Sequence, residues 1–383
     1  MTSLAADLER HPEVARLREP LALAAGEAPV YLVGGAVRDL LLGAAHVDVD
    51  LVVDGDAVSV ARALARETGE RLVVHDTFGT AVVGDVDLAT ARAERYAEPG
   101  ALPAVWPATL GEDLVRRDFS INAMAIALVG EPFGTLRDPL GGWADLVAGI
   151  VRALHGRSFR AAPTRILRAA RSAARFSFAL DEATAEQARA TARADLVRTV
   201  GGPRLRDALL LLLGEDTARA ALALLESLGV LHAIAPGLHV DTARFEELDE
   251  LAALAPDVDR ARARLALLVR SLPPADRGRL LDWLRLRRTD ERVVTRAAAA
   301  TSDRLDDLPD EAALVLGGAA GRRWLEADRH VRLEIDGDVL ATELGLQPGP
   351  EIGRVLRALL AEKRAGRLPD RDAELQRARA LVA

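Results

Sequence analysis

The stretch VYLVGGAVRDLLLGAAHVDVDLVV, Val30–Val53, decides how the first part of this chain folds. Val30 to Val33 is a short β-branched and aromatic run that stops at Gly34-Gly35, and Val37 to Leu42 then reads as the start of a helix ending at Gly43. A second apolar run, Val47 to Val53, alternates with Asp48 and Asp50, closes at Asp54-Gly55-Asp56 and precedes the helical pattern Ala57 to Thr68. Strand, turn and helix therefore occur twice. Working outward, Arg71 to His75 and Thr80 to Leu88 read as two more strands around a turn at Asp76 to Gly79. Glu98 to Leu110, with Pro99-Gly100, Pro103 and Pro107, reads as a long irregular loop. From about Thr164 onward, apolar residues recur at three- and four-residue spacing, broken at Gly201-Gly202-Pro203, Pro236-Gly237, Pro273-Pro274, Gly317-Gly318 and Pro348-Gly349-Pro350. A sheet domain of α/β or α+β type with a helical body behind it is the expectation.

The 383 residues suffice for two or three domains at roughly 150 residues each. The absence of cysteine removes cysteine nucleophiles, thiolate zinc sites, iron–sulfur clusters and disulfides together. Lys363 is the only lysine, which excludes a Walker phosphate loop and a Schiff-base lysine in the N-terminal half. No apolar run approaches the ~18 residues of a membrane span, so no membrane partner is expected. Asp7, Glu9 and Glu13 stand where a signal peptide would be basic or apolar, and the cytoplasm is the expected compartment.

Asp48 and Asp50 lie two apart on an expected strand, which sends both carboxylates from one face of the sheet. Such a pair suits a hard divalent cation shared with substrate phosphates, Mg²⁺ above all. Gly34-Gly35 just upstream offers bare backbone N–H groups to a phosphate, and Arg38 follows one turn later. Arg116-Arg117-Asp118-Phe119-Ser120-Ile121-Asn122 sets two guanidinium groups beside polar side chains, a suitable grip for a triphosphate. Arg165, Arg168, Arg171 and Arg175 share about a 120° arc of one helix with no acidic residue among them, a candidate polyanion stripe in a chain of net charge −8. Asp87 is a possible third carboxylate. Metal carboxylates, a glycine phosphate turn and arginines together describe nucleotidyl transfer better than hydrolysis.

The motifs LVGGAVRD (Leu32–Asp39), DVDLVV (Asp48–Val53), DLATARAERY (Asp87–Tyr96), RRDFSINAMA (Arg116–Ala125), DPLGGWADL (Asp138–Leu146) and PTRILRAARSAARF (Pro163–Phe176) occur in an order that resembles the class II tRNA nucleotidyltransferase and poly(A) polymerase family. The ending PGPEIGRVLRALL (Pro348–Leu360) is similar as well. That resemblance implies an α+β head of the DNA polymerase beta superfamily over residues 1–156, a helical neck over 157–236 and a helical body and tail over 237–383. It implies template-independent addition or repair of the 3′ CCA end of tRNA from CTP and ATP, with pyrophosphate leaving. Asp48 and Asp50 would hold two Mg²⁺ ions, with Asp87 a possible third ligand. Gly34, Gly35 and Arg38 would line the triphosphate, Arg116, Arg117, Asp118 and Asn122 would handle phosphates and ribose, and Arg165 and Arg168 would face the nucleotide. The loop Arg92–Leu110 would be the flexible element used in switching nucleotide.

One departure stands out. The family usually carries Glu-Asp or Asp-Asp just before Pro-x-Arg, where this chain has Ala161 and Ala162. Alanine cannot accept a hydrogen bond from an exocyclic amine. An altered site, a substituting carboxylate nearby or a changed nucleotide choice would each fit. A CC-adding or A-adding specialist, a poly(A) polymerase and a catalytically weakened RNA-binding protein remain as alternative readings.

Overall fold

The computed structural model describes residues 4–75, 79–301, 305 and 308–382. Of the turn expected at Asp76–Gly79, only Gly79 is among them. By internal contacts the chain divides into two compact units, Met1–Gly237 and Leu238–Ala383.

The first unit is built on a seven-stranded sheet of order β3-β4-β5-β2-β1-β8-β9: β1 Val30–Val33, β2 Val49–Val53, β3 Leu72–His75, β4 Thr80–Val83, β5 Val86–Thr90, β8 Ala125–Val129 and β9 Leu136–Arg137. Only β2 and β5 run parallel; the other neighbours are antiparallel. Every residue of β1 is buried, because helices cover one face and an apolar cluster the other. Leu32, Leu51 and Leu88 align across β1, β2 and β5 and are all but inaccessible, each burial contributing about 2 kcal/mol. The helix Ala57–Thr68 packs on β2, β4 and β5; its first turn is capped by Asp56, which accepts from Val58 N (3.0 Å) and Ser59 N (3.2 Å). On the opposite face Tyr31, Val33, Val52, Ala91, Leu110, Leu114, Ala125 and Ala127 form one cluster. Asp50 precedes Val52 by two residues and so leaves this second face, at the end of the strand where the apolar cluster stops.

The structure corrects the sequence reading at three places. The strand expected from Val47 begins at Val49, because Asp50 N donates to Asp48 O (3.1 Å) and turns the backbone there, leaving Asp48 off the ladder. The single strand expected over Thr80–Leu88 is the hairpin β4–β5, since Gly84 adopts φ +61° and reverses the chain. The loop expected over Glu98–Leu110 contains β7, Ala104–Pro107, which pairs antiparallel with β6, Arg92–Arg95, as a separate two-stranded ribbon.

Past Thr164 the only strand among the described residues is Ala179–Leu180, and helices start or stop at each expected glycine or proline break. The second unit is helical throughout its described elements. Its last three helices, Gly337–Leu344, Pro350–Arg364 and Arg371–Val382, close around Ile335, Leu340, Val355, Leu359, Leu368 and Ala378. Beneath them Glu374 is wholly buried, its carboxylate accepting from the backbone N–H groups of Glu334 (3.0 Å) and Ile335 (3.1 Å) and pairing with Lys363. Among the described residues, no helix is long and apolar enough to cross a membrane.

Candidate active site

The turn after β1 starts the site. Gly34 caps the helix Gly35–Leu41 at φ +70°, and a Cβ there would stand 2.8 Å from Arg117 Nη1, so glycine is required both for the turn and for the close approach of a guanidinium. One turn on, Arg38 lies over the Phe176 ring, Cζ 4.6 Å from its centroid, and donates to Asp39 (2.8 and 2.9 Å) and to Asn122 Oδ1 (2.7 Å). Asn122 Nδ2 in turn donates to Asp118 Oδ1 (3.1 Å), and Asp118 Oδ2 faces Arg168 Nη2 at 2.6 Å. Burial alone would raise the Asp118 carboxyl, but Arg168, Asn122 and Arg165 outweigh it and hold the group below the usual carboxylate range. The segment carrying Asp118 and Asn122 is itself fixed from below: Gly142 packs so tightly on the Ser120 carbonyl that a Cβ would reach 2.2 Å, and Ser120 Oγ donates to buried Asp145 at 2.5 Å.

A second network anchors the two adjacent arginines. Asp113, on the helix Leu110–Val115, is fully buried and takes Arg116 on Oδ1 (2.6 Å, Nη2) and Arg117 on Oδ2 (2.7 Å, Nη2). Burial pushes its carboxyl up, and the two guanidinium groups more than reverse this. Arg165, 8% exposed, donates to Ser158 Oγ (2.9 Å), Arg116 O (2.7 Å) and Glu94 Oε1 (2.9 Å), and Tyr96 donates to the same Glu94 oxygen at 2.9 Å.

Gly34, Gly35, Arg38, Asp50, Arg116, Arg117, Asp118, Asn122, Arg165 and Arg168 all line one cleft of ≈ 480 Å³. Asp87 does not line it but stands in register beside Asp50 across the parallel β2–β5 pair, and Asp48 lies off the strand end close enough for its charge to act on Asp50. Burial first, then the like charges of Asp87 and Asp48, push the Asp50 carboxyl up against the pull of Arg117. Among the described residues no three acidic, His or Cys side chains form a ready-made metal cage. Crowded carboxylates at the mouth of an arginine-lined cleft instead fit a hard cation whose remaining ligands come from a phosphate-bearing substrate.

The arginine stripe is less free than its own helix suggests. Arg165 meets Glu94, Arg168 meets Asp118 and Arg171 approaches Glu215 (3.6 Å), while Arg175 stacks at the Phe176 ring and does not line the cleft. Sequence reasoning missed Glu94, Tyr96, Thr164 and Arg204 in the lining, and Asp113 behind it. For Asp113 a signal existed: it precedes Arg116 and Arg117 by three and four residues, the spacing of one helix face.

Residues 30–152 match the family model described as the poly A polymerase head domain, and 177–242 that of the probable RNA and SrmB-binding site of polymerase A. The chain is 34% identical over 362 residues to the CC-adding tRNA nucleotidyltransferase of Deinococcus radiodurans, spanning 93% of this chain and 90% of that protein. It is 34% identical over 396 residues to the A-adding tRNA nucleotidyltransferase of Geobacter sulfurreducens, spanning 91% of this chain but 45% of the relative. Of two further A-adding relatives it spans 26% and 50%. The solved Thermotoga maritima CCA-adding enzyme complexed with tRNA superposes with a TM-score of 0.78 at 29% identity, covering 100% of this chain and 99% of that one.

Proposed function

The chain belongs to the tRNA nucleotidyltransferase family, and from that premise we propose that it adds or repairs the 3′ CCA end of tRNA, transferring nucleotides from CTP and ATP without a nucleic-acid template. The observation that carries this reading is the placement of Asp50 beside Asp87, with Asp48 near, at the mouth of a cleft walled by Gly34-Gly35 and arginines. Asp48 and Asp50, with Asp87 as a further candidate, are the residues to hold Mg²⁺, which when bound lowers the pKa of the attacking hydroxyl and neutralises charge on the leaving pyrophosphate.

The protein's own groups do the positioning. Gly34 and Gly35 let the triphosphate lie against backbone, and Arg117, locked to Asp113, presents its guanidinium beside them without paying an ordering cost at each turnover. Arg38 and Arg168 are set by Asn122 and Asp118 along the same wall, where Asn122 and Asp118 also suit contact with ribose hydroxyls. Arg116 and Arg165 close the far end, toward the base.

The test supplies purified protein and Mg²⁺ with tRNA ending at the discriminator base, after C, or after CC, with CTP and ATP given separately and together. Growth of all three to CCA establishes the full activity, and growth of one class assigns a CC- or A-adding specialist. Failure of every substrate to grow overturns the enzyme reading and leaves an RNA-binding protein.

A further inference from the structure

A second cavity of ≈ 520 Å³ opens behind the cleft, and Glu94, Tyr96, Arg116 and Arg165 line both. The alanines at 161 and 162 sit at this junction, Ala162 lining the cleft and Ala161 the cavity, and neither side chain can make a hydrogen bond. The junction is thus a passage whose polar character is set by the residues around it.

Charge divides the joined space. Gly34, Gly35, Arg38, Arg117 and Arg168 make one end attractive to phosphates. Glu94 makes the other end repulsive to them, so the uncharged part of a nucleotide, its base, belongs there. Of the carboxylates lining the cleft, Asp50 lies at the metal end, and Asp118 is held by Arg168, Asn122 and the Phe119 N–H. Glu94 differs. Its side chain is 10% exposed, and its Oε1 accepts from both Arg165 (2.9 Å) and Tyr96 (2.9 Å). Its Oε2 has only Arg116 Nη1 nearby, at 3.7 Å, beyond hydrogen-bond reach. One oxygen fixes the carboxylate, and the other keeps its acceptor capacity at the edge of the passage.

Resting on the proposed function above, we propose that Glu94 reads the incoming base: its Oε2 accepts a hydrogen bond from an exocyclic amino group, in place of any group at Ala161 or Ala162. A carboxylate oxygen accepts from the amine of cytosine or adenine. It repels the carbonyl oxygen that uracil and guanine carry at the corresponding positions. The arrangement selects by charge and hydrogen bonding together, with Tyr96 and Arg165 holding the acceptor at a fixed angle.

Equilibrium binding of ATP, CTP, GTP and UTP to the full chain in Ca²⁺, with no tRNA present, tests this apart from catalysis. Wild type binds ATP and CTP at least about tenfold more tightly than GTP and UTP, the worth of one hydrogen bond to a charged group. Purine riboside triphosphate, which lacks the 6-amino group, falls to the level of GTP. Glu94→Gln, whose amide also donates, brings the four nucleotides within about threefold, whereas Glu98→Gln, at an exposed carboxylate of the same second cavity, leaves the wild-type ratio. Equal binding of ATP and purine riboside triphosphate by wild type overturns the proposal even if the Glu94 variant fails to fold, as does a Glu94→Gln protein that keeps the full preference. Loss of tRNA extension by wild type with the binding preference intact overturns the enzyme reading and upholds the role of Glu94.

Discussion

Both units of this protein bury charged side chains, and they finish the job differently. In the C-terminal unit Glu374 takes two backbone N–H groups and the ammonium of Lys363 and is wholly buried, so its bonding is complete within the fold. In the N-terminal unit Arg38, Arg117, Arg165 and Arg168 are each tied to a carboxylate or an amide on one side and face a cleft on the other. A closed network adds specificity to packing; a half-open one holds a binding group in place for something the chain does not contain. The lesson is that a paired arginine is not a spent one, because five N–H donors on a planar fork outnumber what one carboxylate uses.

That contrast can be tested most severely at Asp50. Asp50→Ala should lower nucleotide incorporation by about 10³-fold, the scale seen when one preorganised charge-stabilising group is removed, and a melting curve should show equal or higher stability because repulsion from Asp87 and Asp48 is relieved. Glu374→Ala should do the reverse. Leaving Lys363 and two backbone donors without their partner should cost about 3 kcal/mol in a urea titration, with incorporation per folded molecule unchanged. Asp113→Asn should show both signatures in smaller measure, about 2 kcal/mol of stability and a raised KM for nucleotide as Arg116 and Arg117 loosen. It should also alter the acid limb. The folded Asp113 carboxyl lies below its unfolded value of about 3.9, so its contribution is present above that pH and disappears as pH falls through the lowered folded value; the variant's stability should therefore fall less between pH 5 and pH 2. Smallest is Gly34→Ala, where a left-handed φ and the Arg117 approach together should cost about 1 kcal/mol in stability, seen as a shift in melting temperature.

Local patterns exposed much of this architecture and stopped where long-range pairing took over. The Gly34-Gly35 turn, the Asp56 cap and the helical breaks at Pro236-Gly237 and Pro273-Pro274 are short-range events written in neighbouring residues, and each was legible. Gly84 was legible too but was read through, because Val83 and Val86 on either side continue the apolar character of a single strand. Glu94 could not be found in this way. It reaches Arg165 across 71 positions of sequence, and helical periodicity describes only the face of Arg165's own helix, not the strand that comes to meet it. Asp48 fell between these cases: alternation placed it on the strand, and a single backbone hydrogen bond to the Asp50 N–H removed it from the ladder.

The pairing of Lys363 has a practical side. As the only lysine in 383 residues, it carries the chain's only ε-amine, and in the folded protein that amine is bound to Glu334 and Glu374. Both partners favour its protonated form, which no acylating reagent attacks. An amine-directed label would therefore enter slowly while the last three helices stay closed and quickly when they part, making the natural sequence a single-site chemical clock for the opening of its own C-terminal end.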